Sequence, residues 1–150
     1  MKTPTMDTLE RLIAEDACRT LVLLAAEYVD THQPDRLAAL FAEDGVLQRP
    51  NGDPLVGRDA IRNAYAQRPP GRITRHLITN TVVTLELPDH AHATSHALLW
   101  SADAATEPSP FGRRAHPRQV LGEFADRFIL TPDGWRLQHR EARFLMHSGD

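Results

Sequence analysis

The stretch Ile73–Leu87, ITRHLITNTVVTLEL, decides the fold. It is rich in Thr, Val and Ile, which favour a pleated surface, and Pro88-Asp89 breaks it. Working outward, Ala91–Ser101 reads as a second strand, Gln119–Leu130 as a third, and Trp135–Leu145, after the turn Pro132-Asp133-Gly134, as the last. Upstream the period is helical. Asp7 and Glu10 resemble a capping box, and Leu9, Leu12, Ile13, Ala17, Leu21, Leu24, Ala25 and Tyr28 follow at helical spacing. Pro34 ends this helix and opens a second one, whose stripe is Leu37, Leu40 and Phe41 and which Asp44-Gly45 closes. A short strand, Val46–Gln48, leads through the turn-rich Pro50–Pro54 to a third helix at about Arg58–Gln67, which buries Ile61 and Tyr65. Helices first and long antiparallel strands afterwards make an α+β domain with helices packed on one face of a sheet. A curved sheet closed by helices encloses a conical pocket, so a small-molecule site is the default expectation.

Composition narrows the classes. The chain has 150 residues, 41% of them hydrophobic and 25% charged, with a formal net charge of −3. That length suits one domain with one core, 1–150, needing neither metal nor disulfide to fold. The single cysteine, Cys18, cannot form an internal disulfide and fits a reducing, cytoplasmic setting. It has no basic partner nearby in sequence and is not nominated as a nucleophile. Mixed charge without a basic stripe argues against nucleic acid. The longest apolar run, Leu21–Ala26, is too short to span a bilayer, and Met1–Pro4 opens no signal peptide. Residues 1–6 read as a disordered N-terminus. Residues 102–117, with three prolines, read as a long loop of the lid or binding kind. No glycine-rich strand-to-helix turn supports a Rossmann or P-loop fold.

Four segments occur in order: Leu40–Val46 (LFAEDGV), Gly57–Ile61 (GRDAI), Thr74–Asn80 (TRHLITN) and Asp133–Arg136 (DGWR). Together, from about Leu9 to Phe144, they resemble the SnoaL-like branch of the nuclear transport factor 2-like superfamily. The resemblance implies a cone of three helices against a strongly bent, mostly antiparallel sheet, commonly dimeric, with a pocket inside. It implies no single reaction, because the superfamily spans dehydratases, a dehydrochlorinase, isomerases, polyketide cyclases, dioxygenase β subunits and non-enzymatic binders.

The resemblance also implies a catalytic pair. Asp30 falls where scytalone dehydratase and the dehydrochlorinase carry the Asp that pairs with a histidine, and His76 falls where they carry that histidine. Asp30 shares a helix face with Leu23 and Ala26, so lost hydration is expected to raise its pKa toward a general base. The plainer reading is an Asp capping the turn before Pro34. An imidazole oriented by Asp30 can take a proton from substrate; the plainer His76 is a core residue bonded to backbone. The chain departs from those enzymes at Leu24-Ala25-Ala26, where the dehydrochlorinase has a lysine. It departs again at Ser101 and Val29, where scytalone dehydratase has a histidine and a tyrosine.

Strict alternation puts Asn80 on the His76 face, placed to polarise a carbonyl or equally to satisfy a sheet edge, and turns Arg75 away. Tyr28 and Tyr65 are hydrogen-bond donors for a substrate oxygen, or core aromatics. Ser95, Leu99 and Phe124 are expected to line the cavity, on or beside a face of small residues. The opposite face, with His90, His92, His96, Leu98 and Trp100, suits pairing of two copies better than metal, and a cupin-like site lacks its glutamate. Asp126 and Arg140 are read as a structural pair, and Arg113, Arg114 and His116 as solvated loop groups. The expected function is a lyase or isomerase without metal or cofactor, acting on a small, mostly apolar or polyketide-like substrate through Asp30 and His76. The alternative is a non-catalytic binding or assembly domain resembling a dioxygenase β subunit.

Overall fold

Residues 6–150 are described by a computed structural model. Most of the expected N-terminal segment, residues 1–5, lies outside the described residues. Its last residue, Met6, packs against the core. The elements are α1 (Thr8–Asp30), α2 (Pro34–Ala39), β1 (Phe41–Gln48), β2 (Leu55–Val56), α3 (Arg58–Ala66), β3 (Arg72–Glu86), β4 (His90–Asp103), β5 (Gln119–Thr131) and β6 (Gly134–Ser148). The strands form one curved, unclosed sheet in the order β2-β1-β6-β5-β4-β3, antiparallel except for the β1–β6 pair. Helix α1 packs on β3, and α2 and α3 pack on each other and on β1. The α+β architecture is the one the sequence predicts. Among the described residues no helix is long and apolar enough to cross a membrane.

Helix α1 begins with the capping box. The Asp7 side chain accepts from the Glu10 backbone N–H at 2.8 Å, and the Glu10 carboxylate accepts from the Asp7 N–H at 3.0 Å. It ends in a Schellman motif. His32 takes the left-handed conformation at φ 54°, the Gln33 N–H donates to the Tyr28 carbonyl, and the His32 N–H donates to that of Val29. The stripe α1 buries differs from the one read off the large side chains. Ala14, Cys18, Leu21, Val22, Ala25, Ala26 and Asp30 are inside, while Leu9, Leu12 and Ile13 are exposed. Small residues let the helix approach the sheet closely. They also leave Cys18 fully buried, where desolvation pushes its thiol up to about 12 against the pull of Arg19. A thiol held there is inert at neutral pH.

The second helix is shorter than expected. Leu40 and Phe41 continue its apolar spacing, yet α2 stops at Ala39 and Phe41 opens β1. Their carbonyls bond elsewhere: Leu137 N–H donates to Leu40 and Arg58 Nε to Phe41. Asp44-Gly45 is thus part of a strand, and Gly45 serves a close approach. A Cβ there would lie 2.9 Å from the Ala42 carbonyl oxygen and 3.1 Å from that of Leu137. Gly45→Ala is therefore expected to cost about 1–3 kcal/mol of stability, measured by urea unfolding. No loss would mean that β1 can move away from β6.

The decisive strand also holds an irregularity. Thr79 pairs with His96 but Val82 with Thr94, so β3 carries one extra residue between them. Asn80 sits in this bulge at φ 55°, a conformation asparagine tolerates better than most side chains. Alternation inverts across it. Thr74, His76 and Ile78 face inward before the bulge, and Val83 and Leu85 after it, while Val82 is 62% exposed.

Candidate active site

Asp30 and His76 come together inside the cone. The Schellman motif stops α1 immediately after Asp30, and the buried row Val22, Ala26, Asp30 directs its carboxylate at β3. His76 Nδ1 lies 2.6 Å from Asp30 Oδ1, and the His76 backbone N–H donates to Oδ2 at 2.8 Å. The Thr74 hydroxyl donates to Oδ1, also at 2.8 Å. The side chains are only 7% exposed for Asp30 and 19% for His76, so the pair is shielded from bulk water. Burial pushes the Asp30 carboxyl up. The His76 ring and backbone, together with the Thr74 hydroxyl, outweigh that and hold it below its ordinary value. The expected rise in its pKa is thereby reversed, and Asp30 stays ionised. An ionised carboxylate only accepts, so in the neutral form of the imidazole the proton sits on Nδ1 and Nε2 keeps its lone pair.

A cavity of about 560 Å³ opens beside the pair. Its apolar part comes from Ala25, Ala26 and Val29 of α1, Leu99 of β4 and Phe124 of β5. Tyr65 reaches it from α3, and Arg49, Arg68, Arg72 and Arg140 also line it. Desolvation raises the Tyr65 hydroxyl, against the pull of those four guanidiniums, so it remains a neutral donor. Arg140 is held by a buried, bidentate pair with Asp126, at 2.7 and 2.9 Å, and lies 4.0 Å over the Phe124 ring. Arg68 donates to the Val29 carbonyl at 2.8 Å and to the Thr74 hydroxyl, which ties α3 to the dyad. Among the described residues no serine or cysteine lines the cavity. The arrangement is therefore suited to proton transfer rather than to a covalent acyl or thioester intermediate.

Other predicted positions fall elsewhere. Tyr28 packs against the core under Arg36, 5.9 Å from its ring centre, and does not line the cavity. Asn80 is exposed because the bulge turns it away, and its amide oxygen accepts from Thr79. Ser95 is buried outside the cavity lining, its hydroxyl without a partner among the described residues. Of the opposite sheet face, His92 and Trp100 are exposed and His96 and Leu98 half-buried. His90 bonds Asp89 and His92 bonds Glu86. Among the described residues no three metal-binding side chains converge. Residues 102–117 are tied back to the ends of β3 and β4, Ala104 N–H to the Gly71 carbonyl and His116 N–H to that of Ser101, and none of them lines the cavity. Arg113 is spent on the carbonyls of Ala104 and Thr106.

Sequence reasoning missed Thr74, Arg49, Arg68 and Arg72. Thr74 had a usable signal, since strand alternation puts it on the His76 face. The arginines had none, because they come from three separate segments.

Similarity to known proteins follows this geometry. A hexachlorocyclohexane dehydrochlorinase, LinA type 2, shares the fold with a TM-score of 0.80 and 14% identity, over 96% of this chain and 93% of that one. A protein of Novosphingobium aromaticivorans provisionally named a scytalone dehydratase gives 0.75 and 21%, over 93% and 89%. ActVI-ORFA of Streptomyces coelicolor gives 0.69 and 19%, over 89% and 97%. No curated protein matches the sequence. The family model of the SnoaL-like domain matches residues 10–141, from the first turns of α1 into β6, and the chain belongs to that family.

Proposed function

We propose that the protein is a lyase or isomerase that needs no cofactor, with His76 as the general base. The observation that carries this reading is the 2.6 Å contact between His76 Nδ1 and the Asp30 carboxylate at the wall of the cavity. Nε2 takes a proton from the carbon next to a substrate carbonyl, and the electron pair moves onto the carbonyl oxygen. Asp30 stabilises the imidazolium that forms, and the Tyr65 hydroxyl donates to the developing oxyanion. Return of the proton at another carbon gives isomerisation. Expulsion of a leaving group gives elimination. The names of the structural neighbours, a dehydrochlorinase and a provisional dehydratase, fit the elimination branch.

The test is exchange of the carbon-bound proton. Aromatic and alicyclic ketones are incubated with protein in D2O and followed by proton NMR. Wild type is expected to incorporate deuterium next to the carbonyl of a bound ketone, and His76→Gln to do so about 10²–10⁴-fold more slowly. Equal exchange by the two proteins would remove His76 from the chemistry. It would leave the competing reading, a binding domain of the same shape.

A further inference from the structure

The arginines around the cavity are not all accounted for by the fold. Arg140 is neutralised by Asp126, and Arg143, more than half exposed, by Glu123, which lines the cavity with it. Arg49, Arg68 and Arg72 have no ion-pair partner among the described residues, and Nε of Arg49 is buried with no hydrogen-bond acceptor at all. They converge from the end of β1, the end of α3 and the start of β3. Arg72, itself exposed, lies two residues before Thr74 at the start of β3 and lines the cavity with Thr74 and His76. Five guanidiniums, of Arg49, Arg68, Arg72, Arg140 and Arg143, line the cavity against three carboxylates, Glu123 in the lining and Asp30 and Asp126 bonded to lining residues, so the cavity keeps an excess of positive charge. Burial and the neighbouring Arg72 charge both pull the Arg68 guanidinium below its ordinary value, with Asp30 acting the other way. Like charges crowded in this way, one with an orphaned buried N–H, are a cost that an anion between them relieves.

We infer that the substrate is an amphipathic organic acid whose carboxylate is held by Arg49, Arg68 and Arg72 while its apolar body lies on Leu99 and Phe124. The inference rests on the proposed function for the reaction but not for the binding. It replaces the mostly apolar substrate expected from the sequence with one that has a charged end. Guanidinium groups match a planar carboxylate through paired N–H donors, and the remaining cavity wall is mostly aliphatic or aromatic. The carboxylate end anchors the molecule, so the carbon that reacts is set by its distance from that end.

The probes are 2-naphthoate, its methyl ester and 2-naphthyl phosphate, with inorganic phosphate as a bare anion, titrated calorimetrically into wild type, Arg49→Met, Arg72→Met and His76→Gln. Naphthoate is expected to bind wild type and His76→Gln alike, about tenfold or more tighter than the ester, and to weaken as salt is raised. Arg49→Met and Arg72→Met are expected to erase most of that preference while leaving ester affinity unchanged, which also shows that the variants are folded. The exposed Arg72 gives the second variant if Arg49→Met does not fold. Ester binding equal to naphthoate, or an unchanged preference in both arginine variants, overturns the inference. Tighter binding of the phosphate monoester overturns the carboxylate assignment, and bare phosphate binding as well as naphthoate overturns the apolar half. Affinity is read without turnover, so failure here leaves the proton-transfer reading standing, and an inactive dyad leaves these affinities standing.

Discussion

Asp30→Asn is expected to lower turnover by about 10²–10⁴-fold while the fold is retained. The amide fills the same space between β3 and the end of α1, but it carries no charge to stabilise the imidazolium. Its N–H2 group also presents a donor where His76 Nδ1–H needs an acceptor, which favours the tautomer with Nε2 protonated and unable to act as base. The same carboxylate links the site to acid stability. Its pKa is held below the ordinary value, so its contribution to folding is fully present above about pH 4. It is lost as pH falls through the lower folded value. Unfolding in urea across pH 7 to 2 is expected to show wild type more stable than Asp30→Asn at neutrality, with the gap closing on acidification. A gap that stays constant to the lowest pH would show that the carboxylate is not selectively held by His76 and Thr74.

Asp126→Ala is expected to be the most destabilising single change, at about 3–5 kcal/mol. Asp126 is 2% exposed and Arg140 5%, and each satisfies the other through two hydrogen bonds. Removing the carboxylate leaves a buried guanidinium with, among the described residues, only the face of Phe124 as partner. The double variant Asp126→Leu with Arg140→Met removes both charges and is expected to recover most of the loss. Chemical denaturation of the three proteins decides it. A single-variant loss under about 1 kcal/mol would mean that water reaches Arg140 from the cavity and solvates it.

The architecture was readable in the sequence because its long elements are punctuated clearly. Pro34, Pro88-Asp89 and Pro132-Asp133-Gly134 mark real breaks, and the Asp7–Glu10 box starts α1 as its pattern implies. The resemblance brought Asp30 and His76 together on paper, and the structure brings them into contact. What was not readable depends on tertiary partners. Leu40 and Phe41 look helical until Leu137 and Arg58 claim their carbonyls. Asn80 looks like a neighbour of His76 until one extra residue in β3 turns it outward. The direction of the Asp30 shift could not follow from burial alone, because the donors that reverse it, Thr74 and the backbone of His76, lie across the fold. The arginines lining the cavity are scattered from Arg49 to Arg140, and local spacing carries no sign of their meeting.

The extra residue in β3 divides one continuous strand into two stretches with opposite handing of their side chains. Before it Arg72, Thr74 and His76 line the cavity, and after it Val83 and Leu85 pack on the hydrophobic interior. Mutations that retune ligand choice near His76 are thereby insulated from those that keep Val83 and Leu85 seated. A lineage, or an engineer, gains freedom to diversify chemistry without renegotiating the scaffold.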